Sequence, residues 1–289
     1  MEEPIAPVEV TITAADGYAI GATRFDPPET PRGRLIVAGA TAVPQTFYRR
    51  FAEYACRRGF TVLTLDYRGI GKSKPETLRG FEASILDWAR LDLAAVVNEY
   101  GGDAVPLFMV GHSYGGHALG LLPNHHLISR FWVFGTGSGW HGWMPPLERL
   151  RVLAMWHLIL PLLTAWKGYT PWGMLGLGAD LPRGVYEQWR HWCGFPHYFF
   201  DDPEMAGIAD EYAAVRTPIV AANSLDDLWA LPRSRDAFMF AYRNAPVTNV
   251  DIDPRNGLGS IGHMGYFRQS AQPLWDDVLE WFLPELEPG

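Results

Sequence analysis

Two cysteines in 289 residues, Cys56 and Cys193, are too few for a disulfide framework. That scarcity fits a reducing compartment, and the opening Met-Glu-Glu-Pro lacks the basic and apolar regions of a secretory signal, so the expected setting is cytoplasmic. Basic residues are also a minority. The net charge is −8, and lysine and arginine gather into no stripe or clamp, which argues against nucleic acid and against a phosphate-rich ligand. Histidines fall in no zinc-type spacing such as H-E-x-x-H, and neither a metal nor a cofactor is expected. A long unbroken apolar run is missing too. Val152 to Gly178 comes nearest, with Lys167 as its one charged residue. Pro161, Gly168, Pro171 and Gly173 interrupt it, His157 sits inside it, and a membrane span needs about 20 consecutive apolar residues. The expectation is a buried or covering helix and no stable span.

What is present is an alternation of short apolar runs and helical patterns. The composition, 48% apolar and 19% charged, is that of an ordinary globular chain, and the length suits one α/β core with an insertion. Val8–Thr13 and Tyr18–Phe25 alternate around Asp16-Gly17, a hairpin signature. Strands are expected at Leu35–Ala38, Thr61–Leu65, Leu107–Val110, Phe131–Phe134, Ile219–Ala222 and Val247–Ile252. Helices are expected at Tyr48–Arg58, along Leu86 to Tyr100, at Tyr114–Leu122, around Arg233 to Tyr242, and at Gln272–Phe282. Such alternation means a mostly parallel sheet with helices on both faces.

The alternation stops between about 139 and 214, too long a stretch for a connecting loop. Seven of the twelve tryptophans lie there, and most are expected to form its core. The division that follows is a core of residues 1–138 and 215–289 with a helical, aromatic-rich insertion, 139–214, above one end of the sheet. Its composition predicts an apolar cleft and a substrate with an apolar or aromatic group.

Gly111-His112-Ser113-Tyr114-Gly115 fits G-x-S-x-G between a strand and a helix. A serine there sits on a strained turn with its hydroxyl above the sheet, and flanking glycines let neighbouring backbone come close. Serine alone is a poor nucleophile at neutral pH and needs a base oriented by a carboxylate. For this kind of turn the partners follow in the order Ser, Asp, His. "NSLDDLWALP" supplies Asp226 and Asp227 after the resumed strand, and Asp227 is preferred, leaving Asp226 to form a turn or cap a helix. His263, in "GSIGHMGYF", is the histidine that follows the last strand. The backbone N–H of Tyr114 and one from Gly39-Ala40-Thr41-Ala42 are the candidate oxyanion donors, with Thr41 preferred over Ala40.

Other motifs fail on inspection. "GIGKS", Gly69–Ser73, lacks the earlier glycine of a P-loop, because Asp66 stands there. Gly257 to Gly262 fits G-x-G-x-x-G without a βαβ unit to hold a dinucleotide. His112 is expected to pack or hydrogen-bond beneath the serine, and His125-His126 to be a loop pair.

With these residues placed, the chain resembles the α/β-hydrolases along nearly its whole length. "DYRGIGKS", Asp66–Ser73, is similar to their turn after the fourth strand, and "GHSYGG" to their nucleophile elbow. "GATAVPQTFYRRFAEYACRRGF" and "IGHMGYFR" resemble a bacterial group of predicted serine hydrolases near the lysophospholipase-like and serine-aminopeptidase-like families. Many relatives carry His-Gly where this chain has Gly39-Ala40. The resemblance implies an eight-stranded sheet, a lid and a Ser-His-Asp triad. The expected activity is hydrolysis of a carboxylic ester, a thioester or a small amide. The alternatives are acyl transfer from the same triad, or small-molecule binding with little turnover. A dehalogenase would carry aspartate in place of Ser113.

Overall fold

A computed structural model describes residues 5–102 and 104–282. The outer ends of the expected core, 1–4 and 283–289, lie outside the described residues, as does residue 103. Eight strands form one sheet: β1 Val8–Thr13, β2 Ala19–Phe25, β3 Gly33–Ala38, β4 Phe60–Leu65, β5 Leu107–His112, β6 Ile128–Phe134, β7 Ile219–Ser224 and β8 Val247–Ile252. Their order is β1-β2-β4-β3-β5-β6-β7-β8. β1 pairs antiparallel with β2, and β2 antiparallel with β4; all later pairs are parallel.

Every residue of β4, β5 and β7 is buried, as strands covered on both faces require. Two apolar layers do the covering. One holds Ile36, Met109 and Val133 with Trp88, Leu93 and Val97 from the helical run 85–100. The opposite layer holds Val37, Val110 and Phe134 with Phe51 of the helix Arg49–Arg57 and Trp275 and Val278 of the helix Gln272–Phe282.

The turn after β4 shows why "GIGKS" cradles no phosphate. Asp66 fills the space, accepting from the Gln45 and Lys72 N–H groups at 2.8 and 2.9 Å. A Cβ on Gly71 would stand 2.3 Å from the Asp66 carboxylate, so only glycine fits. Two helices depart from the sequence expectation. The run 85–100 contains a π segment, Trp88–Leu93. The helix after Ser113 has one α turn, Tyr114–His117, and continues as the 3-10 turn Ala118–Leu121, pressed so tightly on Tyr212 that a Cβ on Gly120 would lie 2.4 Å from its ring.

Between β6 and β7 the chain is helical, with Pro146–Ala154 running through Met155–Ile159 into Leu160–Lys167, then Arg183–Trp192 and Ile208–Ala214. Of its tryptophans, Trp156, Trp172 and Trp192 are buried, Trp140, Trp143 and Trp189 half-buried, and Trp166 exposed. Fewer than half are therefore core residues. Among the described residues no helix is long and apolar enough to cross a membrane.

Candidate active site

Parallel strands bring their carboxyl ends to one edge of the sheet, where ligands of open α/β sheets bind. Ser113 follows β5, residues 135–139 follow β6, Asp227 follows β7, His263 lies beyond β8, and the Gly39–Ala42 loop leaves β3. Residues from distant parts of the chain thus meet at one edge.

Ser113 has φ 51° and ψ −112°, a conformation unfavourable for a residue with a Cβ. Its backbone is fixed by the Ser113 N–H donating to Phe134 O at 2.9 Å and the Gly116 N–H donating to Ser113 O at 2.9 Å. The flanking glycines are there for space. A Cβ on Gly115 would lie 1.9 Å from Ala38 O, and one on Gly111 2.7 Å from the Gly115 carbonyl. Three non-glycine residues among those described have positive φ, and all border this region: Ser113, Ala42 at 63° and Tyr198 at 56°.

The Ser113 hydroxyl lies 3.0 Å from His263 Nε2. On the other side of the ring, Nδ1 lies 3.0 Å from both carboxylate oxygens of Asp227. A carboxylate accepts, so Nδ1 carries the hydrogen and Nε2 presents a lone pair to the serine. Asp227 is fully buried, yet well supplied with donors. The Trp229 and Ala230 N–H groups donate to Oδ1 at 3.1 Å, and the Tyr266 hydroxyl donates to Oδ2 at 2.9 Å. Burial works against a charged His263, but the Asp227 charge and hydrogen bond outweigh it and hold the imidazole pKa above its ordinary value.

As expected, Asp226 stands in a turn, closed by the Asp227 N–H donating to Ser224 O at 3.1 Å, and its carboxylate does more than shape that turn. It accepts from Ser260 Oγ at 3.0 Å and from the Ile261 and Gly262 N–H groups at 3.0 and 2.9 Å. It therefore pins the loop that delivers His263, while Asp227 holds the ring.

His112 lies beneath the serine, and its bonding is fully determined. The Ala40 N–H donates to the Tyr48 hydroxyl at 2.7 Å. That hydroxyl, 2.9 Å from His112 Nδ1, donates to it, and His112 Nε2–H donates to the His263 carbonyl at 2.8 Å. Burial pushes the His112 pKa down to about 3, so the ring stays neutral. The Ala40 N–H is thereby engaged by the Tyr48 hydroxyl, and both Ala40 and Thr41 border the space above Ser113. Thr41 lines a cleft of about 190 Å³ with Ser113, His263, Met264, Val43, Trp172, Leu177, Trp189 and Trp229. Trp229 stacks on His263 at 6.0 Å between ring centroids and donates from Nε1 to Glu148 at 3.0 Å. Tyr48, Tyr266 and Trp229 stand in GATAVPQTFYRRF, GSIGHMGYF and NSLDDLWALP, but neither they nor Glu148 are marked for these roles locally, because their partners come from other parts of the chain. Among the described residues no group of three or more His, Cys, Asp or Glu side chains could hold a metal ion.

Residues 29–157 match the family model described as serine aminopeptidase, S33. The match includes Ser113 and ends before Asp227 and His263. The structure resembles a mouse protein described as α/β-hydrolase domain-containing protein 10, with TM-score 0.56 and 14% identity over 97% of this chain and 100% of that one. The chain has the α/β-hydrolase fold. Other structures resembling this α/β-hydrolase-fold protein include a soluble variant of monoglyceride lipase from Saccharomyces cerevisiae bound to a substrate analogue. There the TM-score is 0.75 at 16% identity, covering 100% of this chain and 98% of that one. A Pyrococcus furiosus esterase gives TM-score 0.59 at 14% identity, covering 97% and 93%. No curated protein sequence matches the chain significantly.

Proposed function

We propose that the protein is a serine hydrolase of carboxylic esters, extending to thioesters or small amides, that works through an acyl-enzyme on Ser113. The observation that carries this reading is the unbroken line from the Ser113 hydroxyl to His263 Nε2, and from Nδ1 to a buried Asp227. His263 takes the serine proton as Oγ attacks the carbonyl carbon. The Tyr114 and Thr41 N–H groups hold the oxyanion, each such donor being worth about 3 kcal/mol in the transition state. Collapse of the adduct expels the alcohol with the proton from His263. Water then attacks the acyl-enzyme, gives its proton to His263, and releases the acid as that proton returns to Ser113. The lipase and esterase among the structures of like fold favour an ester substrate.

Residues 139–214 act as a lid on the remaining core in this reading. Trp156, Trp172, Leu177 and Trp189 wall the space around Ser113, and the Ala179 N–H donates to Ala42 O at 2.7 Å. Those walls favour an apolar or aromatic group on the substrate. Two buried free thiols, Cys56 and Cys193, suit a reducing, cytoplasmic setting. The reading is tested by assaying a panel of p-nitrophenyl and alkyl esters with wild type and Ser113→Ala. Turnover by the wild type that vanishes in the variant is expected; equal turnover by both would refute it. Added alcohols distinguish hydrolysis from acyl transfer through the products formed.

A further inference from the structure

A second, smaller chamber adjoins the Thr41 cleft and shares Ser113, Trp189, Trp229 and His263 with it. It has about 30 Å³ of free volume, room for about two water-sized groups. Its lining includes Ser113 and His263, and also His117, Ser138 and Tyr198. These last three side chains are all more than nine-tenths buried. His117 Nδ1, Ser138 Oγ and the Tyr198 hydroxyl each lack a hydrogen-bond partner among the described residues. Eight buried side-chain polar atoms among the described residues lack such a partner, and three of them belong to side chains around this one small space next to Ser113, a clustering that points to a polar guest.

Chemistry narrows the guest. His117 Nε2 lies 2.8 Å from the Gly137 carbonyl, which can only accept, so Nε2 carries the hydrogen and Nδ1 offers a lone pair. Burial pushes the His117 pKa down to about 4, which keeps that lone pair free near neutral pH. Ser138 and Tyr198 can each donate or accept. A carboxylate would face the Nδ1 lone pair, and an ammonium would enter a buried space without a counter-charge. A neutral hydroxyl donates to Nδ1 and accepts from Ser138 or Tyr198, meeting the set. Tyr198 is itself held at φ 56°, with its ring 4.7 Å from that of His117. Backbone strain of this kind on an aromatic residue persists where surrounding packing imposes it, and it gathers at functional sites.

We propose that this chamber is the subsite for the short side of the ester, and that it selects a short group bearing a hydroxyl while the larger apolar group occupies the Thr41 cleft. The proposal rests on the hydrolase reading and deepens it. Two isosteric pairs test it by exchanging one methyl for a hydroxyl. Propyl octanoate against 2-hydroxyethyl octanoate places the hydroxyl on the alcohol. Octyl propionate against octyl glycolate places it on the acyl group.

Wild type should favour the hydroxyl member of one pair by at least about tenfold in kcat/KM, and the pair that responds tells which side enters the chamber. Tyr198→Phe and Ser138→Ala should each shrink that ratio by about fivefold or more, with fluorophosphonate labelling of Ser113 reporting that each variant is folded. A wild-type ratio near one in both pairs would mean that the chamber holds only ordered water, and would overturn the subsite alone. A ratio that survives in both labelled variants would overturn it too. Absence of labelling and of hydrolysis for all four esters would instead remove the hydrolase reading, and the subsite with it.

Discussion

The Tyr48 hydroxyl donates to His112 Nδ1 across 2.9 Å, joining the helical turn beyond the β3 loop to the strand that carries Ser113. Because the same hydroxyl accepts from the Ala40 N–H, its loss strands two buried groups together. Tyr48→Phe should cost about 1–3 kcal/mol of stability, read by denaturant unfolding. It also frees the loop that presents Thr41, so kcat/KM should fall by about 10- to 100-fold. The position of the acid limb of the pH profile should not move, because neither His263 nor Asp227 has lost a partner.

The pH dependence follows from His263. In the proposed mechanism neutral imidazole is the base, and the His263 pKa is raised above 6.5, so kcat/KM should climb through one ionisation above that value. His112, near 3, adds no second acid limb in this range. Stability runs the other way. A histidine whose folded pKa exceeds its unfolded value stabilises the fold fully below the unfolded pKa, and this contribution is lost as pH rises through the folded pKa. The protein should therefore gain activity across the window in which the charged His263–Asp227 pair ceases to help the fold. Activity and thermal unfolding measured over the same pH series check both signs.

Asp226 and Asp227 are adjacent, but their removal should look different. Asp227→Asn deprives the ring of its charge and of its fixed tautomer, and a fall of about 10⁴ in kcat is expected. Asp226→Asn leaves the ring its carboxylate and loosens the Ser260–Gly262 attachment. A smaller fall, about 10- to 100-fold, is expected there. Steady-state kinetics of the two variants side by side decides the assignment; equal losses would contradict it.

Gly115→Ala tests the elbow as packing. Its Cβ would stand 1.9 Å from Ala38 O, with rigid backbone on both sides. Overpacking at such a point should cost about 3 kcal/mol or more, seen as a lowered Tm or loss of soluble protein. A variant with wild-type Tm would show that the elbow can shift.

Ser113 was legible in the sequence because glycines forced by close backbone contact are a local signature. Chain order points to His263 and narrows the acid to Asp226 or Asp227, since the carboxyl ends of parallel strands share one edge. Chain order could not separate the tasks of Asp226 and Asp227, because both leave the same turn and only the path of the His263 loop tells them apart. Nor could it find Tyr48 or Tyr266, whose hydroxyls matter through what the folded sheet sets beside them. The His117–Ser138–Tyr198 chamber was invisible for the same reason: its members come from the helix after β5, the loop after β6 and the insertion. Helix positions read well where apolar spacing was regular, as at Gln272–Phe282, whereas the π segment Trp88–Leu93 leaves no mark in that spacing.

The most direct measurement is mass spectrometry of the intact protein and its peptides after reaction with a fluorophosphonate, for wild type and His263→Ala. One adduct on wild type, mapped to Ser113, is expected, with a rate at least about 10³-fold lower in the variant. An adduct on another residue, no adduct on folded wild type, or labelling of Ser113 that is indifferent to His263 would contradict the proposed mechanism.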